Sequence, residues 1–286
     1  MSGWLYKRYE KSELTVALIW IGGYCLFNSF ATALPQQWGV NTIATLLVNV
    51  ALTAALLFWI HTHKLWAKYG LCRGSGSFAQ FLWYIPLVVF VSHNLWGGVT
   101  APPFTADAVC YVLSMLCVGF LEEVIFRGLL FKALAKENVT MAMVVSSVTF
   151  GLGHILNLFN GSGMTWIANL SQVVGAIACG FLFVIILHRG GSLIPCVVAH
   201  GLNNAVYIFA DAEAVSPEKQ LVITLVSMAV VVAYAVFLLR TLPTDTLPCR
   251  RNRPSLSGIW RRNGQYTSIE LTGNREEPLA AEEEDA

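Results

Sequence analysis

Three short patterns of polar residues interrupt long apolar stretches of this chain, and the first joins two carboxylates to a guanidinium. Glu122, Glu123 and Arg127 lie within the apolar run 107–131. Residues four apart share a helix face, so Glu123 can pair with Arg127 and orient the helix. Glu122 is turned by about 100° from Glu123, since a helix has about 3.6 residues per turn. We therefore predict that Glu122 is an unpaired carboxylate that can serve as a general base. The simpler alternative is that both glutamates bind basic residues at a helix end.

The other two patterns also place polar side chains one helical turn apart. Phe150 and His154 have this spacing in an otherwise uncharged run, and so do His200 and Asn204 in a later one. An imidazole and an amide projecting side by side can donate hydrogen bonds to a developing oxyanion. His200 could instead be a zinc ligand, or the pair could be a polar clasp between helices, worth about 0.6 kcal/mol.

Taken together, the patterns supply a base, two imidazoles and an amide, which are the groups needed for hydrolysis by an activated water. The zinc-protease pattern HExxH is absent from the sequence. Glu122, His154 and His200 could still form a two-histidine, one-carboxylate zinc set, which would make the protein a metalloendopeptidase. Glu122 and His154 could equally activate water without a metal. We favour the metal-free interpretation, because Asn204 beside His200 suits an oxyanion site better than a zinc shell.

The elements that carry these residues are predicted to be membrane-spanning helices. The chain is 56% hydrophobic and only 12% charged, and its net charge of +1 gives no reason to expect a nucleic acid partner. Apolar runs of about 20 residues are long enough to cross a bilayer as helices. Eight such runs occur, at about 14–34, 40–60, 79–98, 107–131, 139–158, 165–187, 193–210 and 220–240. The sequence thus predicts an all-α, polytopic helical bundle over residues 1–243.

The distribution of basic residues predicts the orientation of the bundle. Positive charges concentrate in cytoplasmic loops. Basic residues precede the first run and follow the second, fourth, sixth and eighth, whereas loops 35–39, 99–106 and 159–164 contain none. Both termini are therefore expected in the cytoplasm. Residues 244–286 are polar and end in an acidic run, so we expect a disordered cytoplasmic tail.

The three patterns, in this order, resemble those of the CPBP family of intramembrane proteases, the CAAX-processing and bacteriocin-processing (Abi-like) group. The family pattern EExxxR, FxxxH, HxxxN corresponds to Glu122-Glu123-x-x-x-Arg127, Phe150-x-x-x-His154 and His200-x-x-x-Asn204, at about 107–210. The resemblance implies an endopeptidase of the cell membrane that cuts membrane-associated proteins or peptides. Eukaryotic relatives remove the last three residues of prenylated CAAX proteins, and bacterial relatives process other substrates or confer bacteriocin immunity.

The resemblance also implies a role for each motif residue. Glu122 would activate water with the help of His154, His200 and Asn204 would stabilise the oxyanion, and Glu123 and Arg127 would hold their helix in place. Two rival interpretations remain. One is a non-enzymatic immunity or scaffold protein of the same fold, and the other is a proton-coupled transporter with Glu122 as the carrier.

Overall fold

The computed structural model describes residues 3–33, 41–72, 84–102, 104–160, 163–211 and 215–241. Within these ranges the chain is helical, apart from connecting segments and one isolated β-bridge between Val99 and Ala210. The α-helices are α1 (Trp4–Lys11), α2 (Glu13–Ala33), α3 (Asn41–Thr62), α4 (Pro86–Ser92), α5 (Ala106–Glu122), α6 (Lys132–Leu134), α7 (Val139–Gly153), α8 (Trp166–Gly190), α9 (Ile194–Val206) and α10 (Pro217–Thr241). A π-helical segment, Glu123–Phe131, joins α5 to α6 without a break.

Six of the helical stretches in the described ranges are long and apolar enough to cross a membrane. They are Glu13–Ala33, Thr42–Thr62, Ala106–Leu134, Val139–Leu158, Trp166–Gly190 and Glu218–Thr241. The predicted all-α, polytopic membrane bundle is therefore confirmed.

Two of the eight predicted spans are shorter than expected. The third corresponds to Pro86–Leu95 and the seventh to Ile194–Phe209. At about 1.5 Å per residue these helices are about 15 Å and 24 Å long, against a hydrocarbon core of about 30 Å. The total of eight spans and the cytoplasmic termini stay predictions. The expected tail at 244–286 lies outside the described residues.

Two stretches of helix are continuously buried, which places them inside the bundle. All nine residues of the π segment are buried. The six residues 182–187 in the second half of α8 are buried as well. The polar motif residues are positioned against these two stretches.

Glycines bring the neighbouring helices unusually close to one another. A Cβ atom added to Gly119 of α5 would lie 2.4 Å from the backbone nitrogen of Gly201 in α9. A Cβ atom on Gly151 of α7 would lie 2.3 Å from Ile177 Cγ1 in α8. Small residues at such crossings allow helix backbones to approach in membranes. The close approach of α5 to α9 and of α7 to α8 therefore depends on glycine at positions 119 and 151.

An ionic cluster holds the start of α2 against two loops. Oε1 of Glu13 lies 2.5 Å from Nζ of Lys68 and 2.6 Å from Nζ of Lys136. Lys68 also donates a hydrogen bond to the hydroxyl of Tyr9 in α1. Burial alone would lower the pKa of Lys68, but the hydrogen bonds to Glu13 and Tyr9 outweigh it and raise the pKa above its ordinary value. The cluster fixes the position of α2 relative to α6.

Candidate active site

The first motif lies where α5 changes into the π segment. Glu122 is the last residue of α5, and Glu123 is the first of the π segment. π-helical stretches are rare and are frequently found at functional sites. The hydroxyl of Ser146 in α7 donates a hydrogen bond to the main-chain oxygen of Phe126, at 2.8 Å. This bond gives a buried carbonyl of the π segment a partner from a second helix.

Glu123 and Arg127 form the contact that their spacing predicts. Oε1 of Glu123 lies 3.1 Å from Nη1 of Arg127, and both side chains are completely buried. The guanidinium lies over the ring of Phe150, with its Cζ atom 4.0 Å from the ring centroid. Oε2 of Glu123 and the three nitrogens of Arg127 have no hydrogen-bond partner among the described residues. The pair is therefore held by charge and by ring stacking rather than by a full set of hydrogen bonds.

His200 joins the two adjacent glutamates. Its Nδ1 atom lies 2.7 Å from Oε1 of Glu123, and its Nε2 atom lies 3.4 Å from Oε2 of Glu122. The prediction that Glu122 is unpaired is therefore wrong. Because Gly119 and Gly201 let α5 and α9 touch, the imidazole enters the space between the carboxylates. Its two nitrogens face in different directions and reach one glutamate each.

A second unpredicted contact comes from α2. The hydroxyl of Tyr24 donates a hydrogen bond to Oε1 of Glu122, at 2.7 Å. Tyr24 is buried and lies outside the three motifs. The sequence offers no signal for this role, because a tyrosine in an apolar helix is most simply interpreted as a packing residue.

The two ring nitrogens of His200 make different contacts. A carboxylate oxygen accepts hydrogen bonds, so Nδ1 of His200 donates to Oε1 of Glu123. The contact of Nε2 with Oε2 of Glu122 is longer, at 3.4 Å. Nε2 is thus the ring nitrogen that remains for a substrate or a water beside Glu122.

The second motif contributes a shared aromatic ring. The rings of His154 and His200 stand edge-on to Phe150, with centroid distances of 5.0 Å and 5.8 Å. His154 begins a 3₁₀ turn at the end of α7, and its Nδ1 donates to the main-chain oxygen of Phe150 at 3.1 Å. This bond leaves Nε2 of His154 available as an acceptor. Asn169 of α8 donates to the main-chain oxygen of His154 at 2.8 Å and holds the turn.

The side chain of Asn204 has less direct contact with the other motif residues. Its Oδ1 atom accepts a hydrogen bond from Nδ2 of Asn203 at 3.5 Å, and its main-chain oxygen accepts one from Tyr111 at 3.2 Å. In the part of the chain that the structure describes, these hydrogen bonds do not link its side chain to Glu122, His154 or His200. Its suggested role at an oxyanion stays a prediction.

The arrangement of the acidic and imidazole groups bears on the zinc alternative. Over the described ranges, no three or more His, Cys, Asp or Glu side chains are grouped so that they could hold a metal ion. Glu122, His154 and His200 thus do not form the two-histidine, one-carboxylate set in this conformation, and we assign no step to a metal.

A comparison with protein families agrees with the motifs. Residues 104–206 match the family described as Type II CAAX prenyl endopeptidase Rce1-like. This segment runs from just before α5 to the end of α9 and contains all seven motif residues. The search of curated proteins and the search of solved structures gave no match. The match over residues 104–206, together with the three motifs, is consistent with a CPBP-family intramembrane protease.

Proposed function

We propose that the protein is an endopeptidase of the cell membrane that hydrolyses a peptide bond with water activated by Glu122. The observation that carries this proposal is the contact between Oε2 of Glu122 and Nε2 of His200, within an Rce1-like domain. This contact places the proposed general base, Glu122, beside the proposed hydrogen-bond donor, His200. The Glu122 side chain is 13% exposed, so it is partly buried and still reachable.

Each step of the reaction has a group to perform it. Glu122 removes a proton from water as the water oxygen attacks the carbonyl carbon of the substrate. His200, protonated on both ring nitrogens at this step, donates a hydrogen bond from Nε2 to the oxyanion of the tetrahedral intermediate. The intermediate collapses when the carbon–nitrogen bond breaks, and the proton held by Glu122 passes to the leaving amine. His154, whose ring also contacts Phe150, assists in orienting the water.

The adjacent Glu123 and Arg127 support these groups without touching the substrate. Glu123 fixes the orientation of the His200 ring by accepting a hydrogen bond from Nδ1. Arg127 neutralises Glu123 and packs on Phe150. We assign them a positioning role.

For the substrate we propose a membrane-associated protein or peptide with a prenylated CAAX-type C-terminus, which the family description names. A lipidated C-terminus would bring the scissile bond to a site among membrane helices. The apolar bundle around residues 104–206 is compatible with such a substrate.

The proposal is tested with the purified protein in lipid nanodiscs and a farnesylated CAAX-box peptide that carries a fluorophore and a quencher on either side of the scissile bond. Wild type should cleave the peptide, and Glu122→Gln should not. Glu137→Gln, at an exposed glutamate of the loop after α6, is the matched control and should cleave like wild type. Equal rates for wild type and Glu122→Gln would contradict the proposal.

A further inference from the structure

The carboxylate of Glu122 has two oxygen atoms with different partners. Oε1 accepts the hydrogen bond of Tyr24, and Oε2 faces His200. A carboxylate can rotate about its terminal bond, since terminal sp³–sp² torsions are broad. The hydroxyl of Tyr24 limits that rotation, because turning the group would break a hydrogen bond of 2.7 Å.

Tyr24 is itself held firmly in place. Its side chain is buried, with 8% of its surface exposed. It lies on α2, and the start of that helix is tied by Glu13 to Lys136, which follows α6. The phenol is thus positioned relative to the end of the π segment through α2, independently of α9.

We propose that Tyr24 is a positioning residue of the reaction, whose hydroxyl fixes Glu122 so that Oε2 faces His200 and the attacking water. This inference rests on the proposed function, and it adds a residue that lies outside the segment matched by the family. The site is then completed by α2, and residues 104–206 alone do not contain all of its parts.

Loss of a positioning residue and loss of a substrate-binding residue have different effects on kcat and KM. Tyr24 touches Glu122 rather than the substrate, so its loss should reduce the rate of the chemical step and leave the KM nearly unchanged. Hydrogen bonds to charged groups are among the stronger ones in proteins. We therefore expect Tyr24→Phe to lower kcat by about 10- to 100-fold.

The experiment measures kcat and KM for wild type, Tyr24→Phe, Glu122→Gln and Tyr69→Phe, with the farnesylated CAAX-box peptide and the protein in nanodiscs. Tyr69→Phe is the matched control, because it removes another buried tyrosine hydroxyl, which lies 3.3 Å from Tyr9. Its kcat should equal that of wild type. The thermal unfolding midpoint is measured for every variant.

A lower kcat for Tyr24→Phe, with KM within about twofold and an unfolding midpoint like that of Tyr69→Phe, supports the inference. A kcat equal to that of wild type overturns it, and so does a loss that follows a lower unfolding midpoint or a higher KM. If Glu122→Gln is inactive while Tyr24→Phe is fully active, only this inference fails. If wild type does not cleave the peptide, or if Glu122→Gln does, the proposed function fails as well.

Discussion

The imidazole of His200 lies between the carboxylates of Glu122 and Glu123, with Nε2 3.4 Å from the first and Nδ1 2.7 Å from the second. One ring therefore connects two neighbouring residues that point in different directions from their helix. Glu123 orients the ring and is neutralised by Arg127. Glu122 faces the other ring nitrogen, Nε2. This relationship explains why two adjacent glutamates are useful at the end of α5, whereas a simple ion pair would need only one.

The close crossing of α5 and α9 should be necessary for this geometry. Gly119→Ala would place a Cβ atom 2.4 Å from the backbone of Gly201, where no flexible side chain can give way. The helices would have to separate, and His200 would withdraw from the glutamates. We expect a loss of cleavage activity of at least about 100-fold, since a shift of about 1 Å at a catalytic group can cost that much.

The matched control for this prediction is Gly175→Ala in α8, where nothing lies within 4 Å of the added Cβ atom. It should keep wild-type activity and stability. Wild-type activity of Gly119→Ala would show that the α5–α9 contact does not set the position of His200.

Removal of Arg127 should destabilise the fold severely. Arg127→Met leaves Glu123 as a completely buried carboxylate without its cation. Breaking a buried ion pair by removing one partner costs about 3–5 kcal/mol in the free energy of unfolding. The double variant Glu123→Gln, Arg127→Met should be more stable than Arg127→Met alone, because it leaves no orphaned charge. Unfolding by denaturing detergent measures both, and a double variant less stable than Arg127→Met would contradict the pairing.

Two adjacent serines of α7 offer a sharp test of the hydrogen bond to the π segment. Ser146 and Ser147 are both completely buried. Ser146 donates to Phe126, whereas the hydroxyl of Ser147 has no partner among the described residues. Ser146→Ala should lower the free energy of unfolding by about 1 kcal/mol. Ser147→Ala should be neutral or stabilising, and equal effects of the two variants would refute the assignment.

The contact between Lys68 and Glu13 should produce a pH-dependent contribution to stability. Folding raises the pKa of Lys68, so the contribution is fully present below the unfolded pKa of about 10.4 and is lost as the pH rises through the folded-state value. Lys68→Met should therefore lower the unfolding midpoint slightly at pH 7, since the lysine is partly exposed. The difference from wild type should shrink at pH values above about 10.5. The control is Lys7→Met, at an exposed lysine of α1, which should unfold like wild type at every pH. If the difference between Lys68→Met and wild type persisted at high pH, the charged contact would be contradicted.

The sequence predicted the parts of the site that depend on local spacing. The contact of Glu123 with Arg127, and the sharing of a face by Phe150 and His154, follow from residues placed four apart on one helix. The helical bundle followed from apolar runs of bilayer length. These features depend on helix geometry and composition, which can be recognised within a single element.

The features that the sequence did not reveal depend on contacts between elements. The insertion of His200 between the glutamates requires the glycine crossing of α5 and α9, and the role of Tyr24 requires the packing of α2 against the end of α5. Neither depends on the spacing of residues within one helix. The π segment and the short helices Pro86–Leu95 and Ile194–Phe209 were also unforeseen. They lie within apolar runs of about 20 residues, like those of the full-length spans, so composition does not distinguish them.

The most direct test of the central claim requires no assumption about the substrate. New protein termini are compared by proteomics in membranes from a deletion strain that carries either wild type or Glu122→Gln at matched expression. The account predicts termini that appear only with wild type, and these would identify the substrates and the bonds that are cut. The same set of termini in both strains would contradict Glu122-dependent proteolysis and favour a non-enzymatic role for the buried cluster.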